Sequence, residues 1–237
     1  MALVICFATH IFVSIEGWTD RKQTRLFMLL LGDVMVSAIG GIVYKFAQPV
    51  ASSDEIICTI MLIFQFLDFF AHTALAPLFF VYVQIVTGSE YSRGSKRRIL
   101  FSAPFIIVEG MVVLNPFVKW IYYFDENYMF HRNWGESVTY VVAAFYFVLA
   151  ILNLIFHWYA VNRRRRLGVL YCFLITLLGI LLQLFAIELT VELMAESMGL
   201  VLLMLIVERE EDRIDEATRT YNRSALYMDL NNYFHRK

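Results

Sequence analysis

The residues with chemistry to offer lie inside apolar runs. Gln65, Asp68 and His72 stand at i, i+3 and i+7 within the stretch 57–86. That spacing puts all three on one helical face. Glu188, Glu192 and Glu196 follow at i, i+4 and i+8, with Gln183 just before them. Asp33 and Glu109 are single carboxyls near the middle of two other apolar runs. Ionisable groups within a bilayer are costly, so they face the protein interior or water and often mark function. One reading is a polar pocket, open to the outside, that takes a small polar or cationic ligand. The other is structural, with hydrogen-bonded polar side chains joining helices. The three glutamates fit the structural reading less well, because like charges at i, i+4 repel. Other chemistries lack their residues. There is no GxSxG, HExxH, P-loop or Cys/His metal spacing, and the five histidines are scattered. Cys6, Cys58 and Cys172 lie far apart in apolar surroundings and read as packing residues.

Positioning such groups needs helices in lipid. Of the 237 residues, 59% are hydrophobic and only 17% charged, against about 45–50% and 25% in soluble domains. This composition predicts an all-α polytopic membrane protein. A span needs about 20 mostly apolar residues, and seven candidates are visible: 2–15, 26–46, 57–86, 99–118, 138–160, 167–187 and 190–208. The first is short, so either the native start lies upstream or this helix enters the bilayer incompletely. It carries neither the basic start nor the cleavage site of a removable signal peptide. The third is long enough to tilt or project, and Pro77 within it predicts a kink.

Loop charge gives an orientation. Eleven basic residues (Arg21, Lys22, Arg25, Arg93, Lys96, Arg97, Arg98 and Arg163–Arg166) follow spans 1, 3 and 5, while the opposite loops hold Lys45, Lys119 and Arg132. The positive-inside rule places the N-terminus outside and the C-terminus in the cytoplasm. The Arg163–Arg166 run reads as a topology determinant in a tight loop, rather than a nucleic-acid or lipid site. The longest external loop, 119–136, holds two aromatic-rich runs around Asp125-Glu126-Asn127. It predicts a small extracellular β-hairpin; the alternative is an interfacial aromatic belt.

No Pro or Gly interrupts 200–223, so a long helical exit from span 7 is expected. Leu203, Val207 and Ile214 form a thin apolar seam that a homodimer would use, or that belongs to a solvated helix. Residues 215–226 then resemble the entry to the GGDEF domain of bacterial diguanylate cyclases, a D-x-L-T-G-L-x-N-R pattern. Asp215, Thr218, Asn222 and Arg223 stand at the matching positions, followed by Ala225 and Leu226; Ala217 and Arg219 replace the usual Leu and Gly. The resemblance implies that Asn222 would help bind the guanine of GTP. Asn231 stands where the family often has a carboxylate, and an amide lacks the acceptor-only edge that guanine favours. The apolar part resembles the seven-helix sensor regions of some Firmicutes-type cyclases and histidine kinases. Its "NPFVKWIYYFDENYMFHRNW" loop, RRRR turn and "LLGILLQLFAIEL" span carry that likeness, with Tyr128 and Asn133 where relatives often have Gly.

These readings divide the chain into a seven-helix sensor domain, 1–208, and a segment 209–237 holding a signalling helix and the first helix of a truncated GGDEF-like domain. The expected setting is the bacterial inner (cytoplasmic) membrane. The expected function is signal input to a cyclase domain making cyclic di-GMP, which this chain lacks. The chain would be a fragment, a truncated product or a degenerate form, inactive alone, with no cofactor of its own; Mg and GTP would enter only with a complete GGDEF domain. The expected partners are the bilayer, a second copy through the exit helix and a small-molecule stimulus, with no nucleic acid. The rivals are a small transporter or channel using the buried carboxyls, and a histidine kinase sensor. The second lacks a phosphoacceptor on the exit helix, where only His235 is near.

Overall fold

A computed structural model describes residues 1–15, 22–89, 96–185, 191–207 and 226, and among these residues are seven helices and one hairpin. In order they are α1 (Ala2–Ile15), α2 (Lys22–Ala47), α3 (Glu55–Thr87), α4 (Lys96–Val118), β1 (Tyr122–Phe124), β2 (Phe130–Arg132), α5 (Trp134–Phe156), α6 (Arg163–Phe185) and α7 (Glu192–Ile206). Helices α2 to α6 are each long and apolar enough to cross a membrane. Helices α1 and α7 are apolar but have only 14 and 15 residues, below the roughly 20 that a perpendicular span needs. The best apolar window of α4 is only 17% buried within the protein. Ile99, Leu100, Ile106 and Ile107 therefore point outward, as lipid-facing side chains do.

Local signals set the ends. Asp54 caps α3, its Oδ1 accepting from the backbone N–H groups of Ile56 (2.9 Å) and Ile57 (3.3 Å). Gly88 closes α3 in the left-handed conformation (φ +68°). Pro77 lies within α3 without ending it. Arg163–Arg166 form the first turn of α6 rather than a loop, the connection being 157–162. That corrects the tight-loop reading. Arg166 covers the Trp158 ring at 4.4 Å and donates to the Trp158 carbonyl at 2.9 Å.

The core joins α1, α2, α3, α5, α6 and α7 through Val13, Phe27, Tyr82, Tyr146, Cys172 and Leu203, all buried. Leu203 and Val207 are both 0% exposed. Of the seam read as either a dimer contact or a solvated helix face, Leu203 and Val207 are thus buried inside this chain; Ile214 lies outside the described residues. Close backbone approach sets two contacts. A Cβ on Gly40 of α2 would lie 2.6 Å from Asp68 Cβ of α3, and one on Gly179 of α6 would collide with Ala195 of α7. Small residues at such crossings are how membrane helices gain packing energy.

The hairpin pairs Tyr122 with Arg132 and Phe124 with Phe130, antiparallel. Asn115, in the last turn of α4, accepts from Ile121 N–H (2.7 Å) and donates to Tyr122 O (3.1 Å). Phe69 stacks on Tyr122 at 4.5 Å, and the Phe130 N–H donates to the Tyr44 hydroxyl at 3.1 Å. The hairpin is thereby fixed over one end of the bundle, beside the start of α3 and the ends of α2 and α4.

Candidate functional site

Beneath that hairpin lies a cavity of about 630 Å³, within the usual range of about 300–1,000 Å³ for small-molecule pockets. Helix α3 supplies Gln65, Asp68 and His72 from one face. Helix α7 starts at this end and supplies Glu192, while α6 ends here with Gln183. The Gln65–Asp68–His72 group and Glu192, one of the three glutamates marked separately by sequence spacing, therefore share one cavity wall. Gln65 Nε2 donates to Asp68 Oδ2 at 3.3 Å. His72 Nε2 stands 3.5 Å from Glu192 Oε1. Gln183 holds Glu192 at two points, with Nε2 donating to Oε2 at 3.0 Å and Oε1 accepting from the Glu192 backbone N–H at 3.0 Å.

The cavity has a polarity gradient. Its inner wall carries Glu192 (5% exposed), Gln65 (6%) and Glu136 (8%). Its exposed lining carries Lys45, at the end of α2, and Arg132 of β2. Arg132 Nε reaches Glu136 Oε1 at 3.4 Å, one helical turn onward. Glu136, Tyr140 and Thr139 are wall residues that sequence reasoning missed. The Arg132–Glu136 spacing of i, i+4 was the available signal, hidden because Arg132 sits in the hairpin and Glu136 in α5.

Glu196 does not line this cavity. It lies one turn deeper on α7 and borders a void of about 30 Å³ together with His72 and Glu192. One ligand atom from each of His72, Glu192 and Glu196 falls within 4.8 Å of the others. Glu196 is 4% exposed, and its Oε2 has no hydrogen-bond partner. Asp33 and Glu109 stay outside the large cavity. Glu109 Oε1 accepts from the Thr73 hydroxyl at 2.8 Å, joining α4 to α3. Glu188 and Asn222 lie outside the described residues, as do Asp215, Thr218 and Arg223.

No protein-family model, curated protein or solved structure matches the chain.

Proposed function

We propose that this chain is the signal-input part of a bacterial membrane protein, with the cavity facing outward and the segment after α7 leading into the cytoplasm. One observation carries the reading. Helix α7 puts Glu192 in the cavity wall at its first residue and delivers the chain to Val207 at its other end, eight residues before Asp215, where the stretch that resembles a cyclase entry begins. The basic residues that start α2, α4 and α6 support the orientation. Acidic groups inside and Lys45 and Arg132 outside suit a small polar ligand with a cationic group directed inward. Such a ligand shifts the protein only if it binds two packings of α7 differently. The output would be cyclic di-GMP synthesis by a GGDEF domain continuing from Asn222, in a dimer joined beyond residue 207.

A fusion supplies the test. A diguanylate cyclase domain is joined after residue 223 and intracellular cyclic di-GMP is measured. Asp68→Asn and Glu192→Gln should change the output several-fold at equal membrane abundance. Unchanged output from both would contradict signal input through this cavity. Uptake of small amines by proteoliposomes that Glu192→Gln abolishes would instead support the transporter reading.

A further inference from the structure

We propose that His72, Glu192 and Glu196 form a binding site for a divalent transition metal of the zinc class. Buried carboxylates persist where they are paired or coordinate a metal. Glu192 and Glu196 are both at least 95% buried, lie one turn apart on α7 and face the same imidazole. As neighbours at i, i+4 they repel each other, and a divalent cation between them removes that cost. The geometry is close to a coordination sphere. Metal–ligand bonds of about 2.0–2.2 Å give tetrahedral edges of roughly 3.3–3.5 Å, and His72 Nε2 already lies 3.5 Å from Glu192 Oε1. The third ligand atom lies within 4.8 Å of both, so a side-chain adjustment of Glu196 closes the set.

A second feature belongs to a residue that borders the same void. Glu196 Oε2 is fully buried beside His72 and has no hydrogen-bond partner. A buried acceptor in that state is expensive, and a metal would satisfy it. The void of about 30 Å³ that the three residues share has room for a single ion. Gln183 donates to Glu192 Oε2 at 3.0 Å, the kind of outer contact that orients a metal-binding carboxylate. One imidazole nitrogen with carboxylate oxygens favours zinc and its neighbours over magnesium or calcium, which prefer all-oxygen sites. His72 and Glu192 also line the large cavity. The fourth coordination position therefore faces it and is open to water or a ligand. The site stands whether or not the cavity relays a signal.

The test uses the full chain in detergent micelles, stripped with EDTA and titrated with zinc against a chromogenic chelator. One equivalent should bind, and His72→Gln and Glu196→Gln should each weaken it about 100-fold or more, given that even outer-shell changes cost about 10–100-fold. X-ray absorption of the zinc-loaded wild type should show imidazole nitrogen and oxygen without sulfur, which decides the matter even if the variants fold poorly. Wild-type binding weaker than roughly 10 µM, a sulfur ligand, or unchanged affinity in both variants would overturn the proposal. Equal loss in Glu109→Gln, outside the cluster, would count against it as well.

Discussion

Asp125 sits at the tip of the hairpin and holds its turn. Its Oδ1 accepts from the N–H groups of Asn127 and Met129, both at 2.9 Å, and its Oδ2 bonds His131 Nε2 at 3.0 Å. The His131 hydrogen bond, followed by that from Met129, holds the carboxyl below the usual carboxylate range. A depressed folded value contributes stability that is fully present above the unfolded pKa, near 4, and is lost as pH falls through the folded value. Exchange protection of the Asn127 and Met129 amides should therefore be flat from pH 8 to about 5 and fall below about 4. Asp125→Asn should abolish the step; a wild-type turn indifferent to pH 3 would contradict this. In the same turn, Tyr128 has φ +56°, a left-handed conformation that favours Gly. Asn133 is extended and caps α5 with its side chain at 2.8 Å. At this scale the sequence was legible where spacing alone decides geometry. Gln65, Asp68 and His72 share a face because three- and seven-residue steps return to it. Their meeting with Glu192 was not legible, because it depends on how α3 and α7 cross.

The charges at the helix starts conflict between alternate helices. Helices α2, α4 and α6 all begin with basic residues, whereas Glu55, Glu136 and Glu192 fall in the first turns of α3, α5 and α7. Acids suit a helix N-terminus and bases oppose it by about 0.3–1 kcal/mol each when exposed. The basic starts thus cost helix stability, a cost that the proposed orientation, with these helix ends on the cytoplasmic side, would explain. Helix ends were harder to place by sequence: α5 begins at Trp134 because Asn133 caps it, not at the first strongly apolar residue. Inside α4, the Tyr146 hydroxyl of α5 donates to Phe101 O at 2.6 Å and accepts from Phe105 N–H at 3.2 Å, beside Pro104. It bridges a rung of the ladder that the helix would otherwise close itself. Tyr146→Phe should lower stability by about 1–3 kcal/mol, the cost of stranded buried groups, in thermal unfolding in detergent; no shift would mean the rung closes without it. Gly40→Ala should cost about 1–3 kcal/mol through overpacking, since the added methyl meets Asp68 Cβ and the Phe64 carbonyl. A neutral result there would show that α2 and α3 separate freely.

At the scale of the molecule, among the described residues, five helices have the length of full spans and two apolar ones are shorter. Composition made the membrane class legible at once; the seven candidate spans included a short first and a long third, and five of the described helices have spanning length. The lengths of α1 and α7 depend on where helices end, and hydropathy locates ends poorly when polar and apolar residues interleave. What the bundle adds is convergence: α2, α3, α5, α6, α7 and the hairpin all contribute to one polar cavity. Signal input through that cavity requires it to be filled with water and open on the outer side. Labelling by a membrane-impermeant maleimide in intact cells tests it, with Cys6, Cys58 and Cys172 replaced by alanine. Thr139→Cys, on the cavity wall, should be labelled from outside, and Val148→Cys, on the outward apolar face of α5, should not. Labelling of Thr139→Cys no greater than that of Val148→Cys, or only in inside-out vesicles, would contradict the account.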